Sequence, residues 1–130
     1  MEKVLGVFKS NNQLCIATEY YQFNLREYLL RYNKDDLFRM KIFYKICKKV
    51  TQLHNYRLVH GHITPDNIFL NEETEVILAD IHFIGIRKNM CMNGYSMKSS
   101  YSAPEILSRE SMVCFEPYND IYSLGILLWG

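Results

Sequence analysis

Three histidines, an asparagine and an aspartate crowd the middle of this chain: His60, His62, Asn67, Asp80 and His82. Imidazole exchanges a proton near neutral pH and serves as a base or a metal ligand. The oxygens of Asn67 and Asp80 are hard donors of the kind that hold Mg²⁺ against phosphates. Several imidazoles together suit Zn²⁺ or another transition metal instead. No carboxylate-rich shell beyond Asp80 accompanies the histidines, so a transition-metal site is not expected.

The elements that must position these groups can be read from periodicity. Two apolar runs, Val4–Phe8 and Leu14–Thr18, flank the polar stretch 9–13 and predict a hairpin. Asn24 with Glu27 three positions later is a capping-box signal. Leu25, Tyr28, Leu29 and Tyr32 follow at helical spacing and give that helix one apolar face. Asp35 or Asp36 caps a longer helix running to about Asn55. Its expected buried face is Met40, Phe43, Cys47 and Val50, widened by Ile46 and Leu53. Lys41, Lys45, Lys48 and Lys49 read as a solvated face rather than a binding patch. Ile68–Leu70 and Val76–Ala79 read as two short strands joined by the polar turn 71–75. Residues 80–105 show no periodicity, and a loop of that length is usually functional or disordered. A last helix is expected from near Asn119 to the end.

Composition bounds the rest. The chain has 130 residues, 48% of them hydrophobic, enough for one domain with a real core. A net charge of +1 gives no electrostatic reason to expect a nucleic acid or a membrane surface as partner. The longest apolar stretch, around Gly125–Trp129, is far too short to span a bilayer. The first residues lack the basic lead, apolar run and cleavage site of a signal peptide. Cys15, Cys47, Cys91 and Cys114 form no C-x-x-C pair, and N-x-S/T acceptors are absent. Reduced thiols in a cytoplasmic protein are therefore expected.

Five short motifs, in order, carry a resemblance. The stretch 58–70, Leu-Val-His-Gly-His-Ile-Thr-Pro-Asp-Asn-Ile-Phe-Leu, is similar to the catalytic loop of the eukaryotic protein kinases, His-Arg-Asp-Leu followed by Asn. Asp80-Ile81-His82 falls where that family has Asp-Phe-Gly. Ser102-Ala103-Pro104-Glu105 matches Ala-Pro-Glu. The stretch from Asp120 to Trp129 resembles the helix that starts with Asp and carries Ser-x-Gly. Thr18, Glu19, Tyr20 and Tyr21, after a β-run, look like the hinge that holds adenine by its backbone. Any one of these is weak alone; the set and its order are specific.

The resemblance implies an α+β, protein-kinase-like fold, here partial. Residues 1–23 would be small-lobe strands and hinge, and 24–130 the first half of a mostly helical large lobe. The Gly-rich phosphate loop, the strand Lys and its helix Glu partner are expected to lie outside this chain, which would hold roughly half of such a domain. By the same resemblance Asn67 and Asp80 take the metal-ligand positions, Phe69 packs on adenine or fills its place, and Asp120 ties down the catalytic-loop backbone. His62 stands at the base position, where the family has Asp. Gly61 replaces the Arg that in many members receives an activation-loop phosphate. Thr64 replaces Lys, His82 replaces Gly, and Lys98 stands where Ser/Thr-specific members have Thr, with Ser99 and Ser100 shifted. Loss of a positioned base costs ~10²–10⁴-fold in rate, and a neutral hydroxyl cannot stand in for an ammonium beside a transferring phosphate. His60, His62 and His82 would lie close in this fold.

The expected function is that of a pseudokinase, a binding or allosteric module with a protein partner, weak Mg-ATP binding at best, and association through the C-terminal helix. The alternatives are a weakly active ATP-dependent Ser/Thr protein kinase within a longer chain, and a non-functional truncation product.

Overall fold

A computed structural model describes residues 4–79, 91–93, 99–108, 112–114 and 116–130. Asp80, Ile81, His82 and Lys98 lie outside the described residues. The architecture is mixed α+β, as the sequence implies, with small antiparallel sheets flanking helices.

Strands β1 (Val4–Ser10) and β2 (Gln13–Thr18) form a two-stranded hairpin in which Ser10 faces Gln13. Only Asn11 and Asn12 remain in the turn, at φ 47° and 61°. Two consecutive left-handed residues make a type I′ turn, whose twist matches that of the strands, and Asn tolerates the conformation. The strands therefore run further than their apolar cores suggested.

Helix α1 (Leu25–Arg31) starts as its capping box dictates. The Asn24 side chain accepts from the Glu27 N–H at 2.9 Å, and the Glu27 carboxylate accepts from the Asn24 N–H at 3.1 Å. The two residues before α1, Phe23–Asn24, form strand β3, which pairs with β4 (Ile68–Leu70); β4 in turn pairs with β5 (Val76–Leu78). This three-stranded sheet fixes the segment after Tyr21 to the strand that follows the catalytic-loop-like stretch. Short strands β6 (Cys91–Asn93) and β7 (Met112–Cys114) pair with Cys91 opposite Cys114.

Helix α2 (Asp36–Asn55) is capped by Asp35, whose carboxylate accepts from the Phe38 N–H at 2.9 Å. Its buried stripe is Ile42, Ile46, Val50 and Leu53, which corrects the face expected from sequence. Met40 is 53% exposed, and Phe43 and Cys47 flank the core half-buried. Ile42 lies one turn before Ile46, and both pack in the cluster that holds Ile68 and Leu78 of the sheet. Burial of the Cys47 thiol also pushes its pKa up. Lys45 is not merely solvated: its ammonium donates to the Thr74 carbonyl at 3.2 Å and meets Glu75 at 3.3 Å, clipping α2 to the β4–β5 turn.

One cluster holds the molecule together. Leu25 of α1, Ile42, Ile46 and Val50 of α2, Ile63, Ile68, Leu70, Val76, Leu78 and Leu124 pack as a single core. Helix α3 (Pro104–Leu107) and helix α4 (Pro117–Trp129) both begin with proline at the first helical position, where its missing N–H costs nothing. Pro117, not Asn119, is thus the start of the last helix. Asn119 instead turns back, its side-chain oxygen accepting from the Glu116 N–H at 2.6 Å. Ile121, Leu128 and Trp129 of α4 are exposed, while Ser123 and Leu124 are buried. No helix among the described residues is long and apolar enough to cross a membrane.

The corrected face of α2 makes a direct comparison available. Ile46→Ala should destabilise the fold by about 2–5 kcal/mol, whereas Met40→Ala should change stability by less than about 0.5 kcal/mol. Urea unfolding followed by circular dichroism measures both; equal effects would contradict the assigned core.

Candidate functional site

The loop from His60 to Asn67 joins α2 to β4, and its conformation is fixed from beneath by one carboxylate. Asp120, in the first turn of α4, is 1% exposed. Its Oδ2 accepts from the His60 N–H at 2.9 Å and its Oδ1 from the Gly61 N–H at 3.0 Å. The His54 ring, near the end of α2, meets Oδ2 through Nε2 at 2.8 Å. Three elements, α2, the loop and α4, are thereby tied to one side chain. Gly61 adopts φ 82°, a left-handed conformation that a residue with a Cβ enters only at a cost.

His60 is fully buried. Its Nδ1 accepts from the His62 N–H at 3.1 Å and its Nε2 lies 2.8 Å from the Ala79 carbonyl. A carbonyl can only accept, so the proton resides on Nε2 and the ring is neutral. Both nitrogens are engaged, which leaves His60 no lone pair for a metal. The histidine trio raised by the sequence thus loses one member as a ligand, and a second, His82, lies outside the described residues. Among the described residues no cluster of three His, Cys, Asp or Glu side chains could hold a metal ion.

His62 is half-buried, and its backbone works in both directions. Its N–H supports His60, and its carbonyl accepts from the Asn67 side-chain Nδ2 at 3.0 Å. Asn67 is 7% exposed and sits in a 3₁₀ turn, Pro65–Asn67. Its N–H donates to the Thr64 carbonyl at 3.1 Å and its carbonyl accepts from the Ala79 N–H at 2.9 Å. With Nδ2 committed, Oδ1 is the amide atom left to hold a cation. That donor is of the hard kind that suits Mg²⁺. Thr64 is buried, so its hydroxyl does not project as an exposed lysine ammonium would.

The sequence-derived hinge residues fall at the end of β2. Thr18 is its last residue, Glu19 and Tyr20 are exposed, and the Tyr21 hydroxyl donates to the Glu19 carboxylate at 2.7 Å. The rings of Tyr21 and Phe69 lie 6.0 Å apart, tilted by 40°. The fold therefore brings Tyr21 and Phe69 together, while His62 and Asn67 share the loop that leads into Phe69.

Several site residues escaped sequence reasoning. Arg26 of α1 grips Asp66 with both ends of its guanidinium, at 2.8 and 3.1 Å, across 40 positions of sequence. The hydrogen bonds from Arg26 hold the Asp66 carboxyl below its ordinary value. The contribution of this pair is present above the unfolded-state pKa of Asp66 and is lost as pH falls through the lower folded value. Both side chains are about half exposed, so it amounts to no more than about 1 kcal/mol. His54 and Asn119 were also missed. Asn119 donates to the Glu105 carboxylate at 2.6 Å, and the Ser123 hydroxyl donates to the Tyr101 carbonyl at 2.7 Å. These tie the Ala-Pro-Glu-like segment to α4. The Ser99 hydroxyl accepts from the Tyr101 N–H at 3.2 Å, so it serves its own turn.

The profile of the protein kinase domain family matches residues 2–130, and the chain belongs to that family. It is 28% identical to a carbon catabolite-derepressing protein kinase of Candida glabrata, an alignment spanning 98% of this chain and 21% of that protein. It is 30% identical to an eIF-2-alpha kinase of Schizosaccharomyces pombe, over 87% of this chain and 8% of that protein. A serine/threonine-protein kinase US3 homolog of Cercopithecine herpesvirus 9 is 27% identical over 98% of this chain and 37% of its own length. The chain thus spans about a fifth of the Candida relative it matches.

The buried carboxylate sets a clear expectation. Asp120→Ala strands two backbone N–H groups and the His54 ring, and should cost about 3–5 kcal/mol. Chemical denaturation measures it; a loss under about 1 kcal/mol would show that the loop is held by something else.

Proposed function

We propose that this kinase-family chain acts as a binding or allosteric module and not as a catalyst of phosphoryl transfer. The observation that carries the reading is His62. It occupies the base position of the loop, while its backbone N–H and carbonyl serve to hold His60 and Asn67. An imidazole reaches differently from a carboxylate, and its protonated form repels the hydroxyl proton it would have to order. The buried Thr64 stands where a lysine would sit beside a transferring phosphoryl group, so that stabilising charge is absent, and Gly61 removes the cation that would receive an activation-loop phosphate. What remains is the scaffold: the Asp120 network, the His60 lock and the Asn67 turn.

Nucleotide binding on this reading is weak. Tyr21 and Phe69 supply an aromatic edge beside the hinge, and Asn67 an oxygen for Mg²⁺. A millimolar dissociation constant corresponds to only about 4 kcal/mol. A protein partner would bind α4, where Ile121, Leu128 and Trp129 are exposed and Ile126 and Leu127 half-buried. Apolar patches of this kind mark interfaces or aggregation-prone surfaces.

A second reading has one observation in its favour. Asn67 is buried and oriented with its amide oxygen to spare, and the relatives are kinases by name, so a weakly active Ser/Thr kinase within a longer chain would use Asn67 and Asp80 with His62 as base. Radiolabelled ATP with Mg²⁺ or Mn²⁺ and generic protein substrates separates the two. The module reading expects no incorporation above background and a millimolar constant for Mg-ATP by calorimetry. Incorporation that disappears in Asn67→Ala and Asp80→Ala would establish the kinase instead. For α4, the double substitution Leu128→Ser and Trp129→Ser should reduce self-association in sedimentation velocity; an unchanged profile would clear this helix of that role.

A further inference from the structure

The segment after β2 is dense in aromatic residues, and the fold turns most of them to one cleft. Pairing of β3 with β4 brings Tyr20, Tyr21, Phe23, Tyr28 and Tyr32 alongside the β4–β5 turn. The cleft between them has a volume of about 880 Å³. None of His62, Asn67 or Phe69 lines it, so it lies apart from the catalytic-loop-like stretch, while Tyr20 and Tyr21 belong to the hinge-like segment.

Its chemistry is that of a cation receptor. The face of an aromatic ring carries negative potential and attracts ammonium and guanidinium groups. The chain already uses two of these rings in that way: the Arg31 guanidinium sits 5.1 Å from the Phe23 centroid, and the Lys34 ammonium 5.8 Å from that of Tyr32. Tyr20 is 87% exposed and carries no such cation among the described residues. Glu72 and Glu73 line the same cleft, both exposed and neither ion-paired among the described residues. Their neighbour Glu75, by contrast, is taken by Lys45.

The carboxylates are presented by a fixed turn. The Asn71 side-chain oxygen accepts from the N–H groups of Glu73 at 3.0 Å and Glu75 at 2.8 Å, and Thr74 closes the turn at φ 59°. An anionic ligand would be repelled by Glu72 and Glu73, and a purely apolar one would leave them desolvated without a partner. A basic side chain satisfies both the rings and the carboxylates.

We propose that this cleft binds a basic segment of a partner protein, with a Lys or Arg side chain laid over Tyr20 and its charge directed to Glu72 and Glu73. Arginine is favoured because its planar guanidinium stacks on a ring and still offers donors in plane. The proposal names the partner chemistry for the binding-module reading and rests on that reading. The two fail separately: peptide binding is measured without nucleotide, whereas the module reading falls on phosphate incorporation.

The probe is a fluorescein-labelled nonapeptide alternating Arg and Ala, titrated with the protein and followed by anisotropy at low salt and at about 0.15 M salt. Binding is expected, weakening with salt, and absent for the same peptide with Glu in place of Arg. Tyr20→Ala should weaken it about threefold, and the pair Glu72→Lys and Glu73→Lys about tenfold. Amide shifts in an ¹⁵N spectrum of the unmodified protein should cluster at 20–32 and 71–74, a readout independent of whether the variants fold. No binding at millimolar peptide, binding indifferent to these substitutions, or shifts centred elsewhere would overturn the proposal.

Discussion

The structure depends on one buried carboxylate. Asp120 accepts from two consecutive backbone N–H groups of a loop that has no regular structure of its own, and from a histidine at the end of the longest helix. Buried backbone donors must be satisfied, and an irregular loop cannot satisfy them internally. A carboxylate with two oxygens is the compact solution, and its position in the first turn of α4 also suits the helix dipole. From that anchor the order propagates outward. His60 is held by its own N–H, its ring then supports the N–H of His62 and the carbonyl of Ala79, and Asn67 closes the loop on the carbonyl of His62. Positions 60–67 and Ala79 are therefore linked by one continuous chain of hydrogen bonds.

This separation of scaffold from chemistry explains the substitution pattern. The groups that hold the loop are the backbone and Asp120, His60 and Asn67, all present. The groups that would act on a substrate, at 61, 62 and 64, are Gly, His and Thr. Gly61 is informative in both respects: at φ 82° glycine relieves the backbone of strain that a side chain would impose, and at the same time it withdraws a cation.

Much of this was legible in the sequence, and the reasons are local. The capping box of Asn24 and Glu27, the β4–β5 strands and the hairpin follow from short-range rules, and of the two candidate caps Asp35 and Asp36 it is Asp35 that caps α2. The order of the motifs identified the fold class because several independent short patterns had to agree. What failed was three-dimensional. The α2 face centred on Ile42 rather than Met40 because the partner surface, not periodicity alone, selects which side of an apolar-rich helix is buried. Arg26 with Asp66 and His54 with Asp120 join residues 40 and 66 positions apart, and no local pattern encodes such pairs. Pro117 was a signal present in the sequence and passed over in favour of Asn119, whose role is to turn back on Glu116.

Trp129 is the only tryptophan in the chain and it is 91% exposed. Indole emission reports the polarity around the ring, so the folded protein should fluoresce much as an indole in water does, and the colour of that emission should change little on unfolding. The same residue is a reporter for whatever covers α4: a surface docking there would shift the emission to the blue without any label. The optical signal of this protein is thus tuned to its contacts rather than to its core.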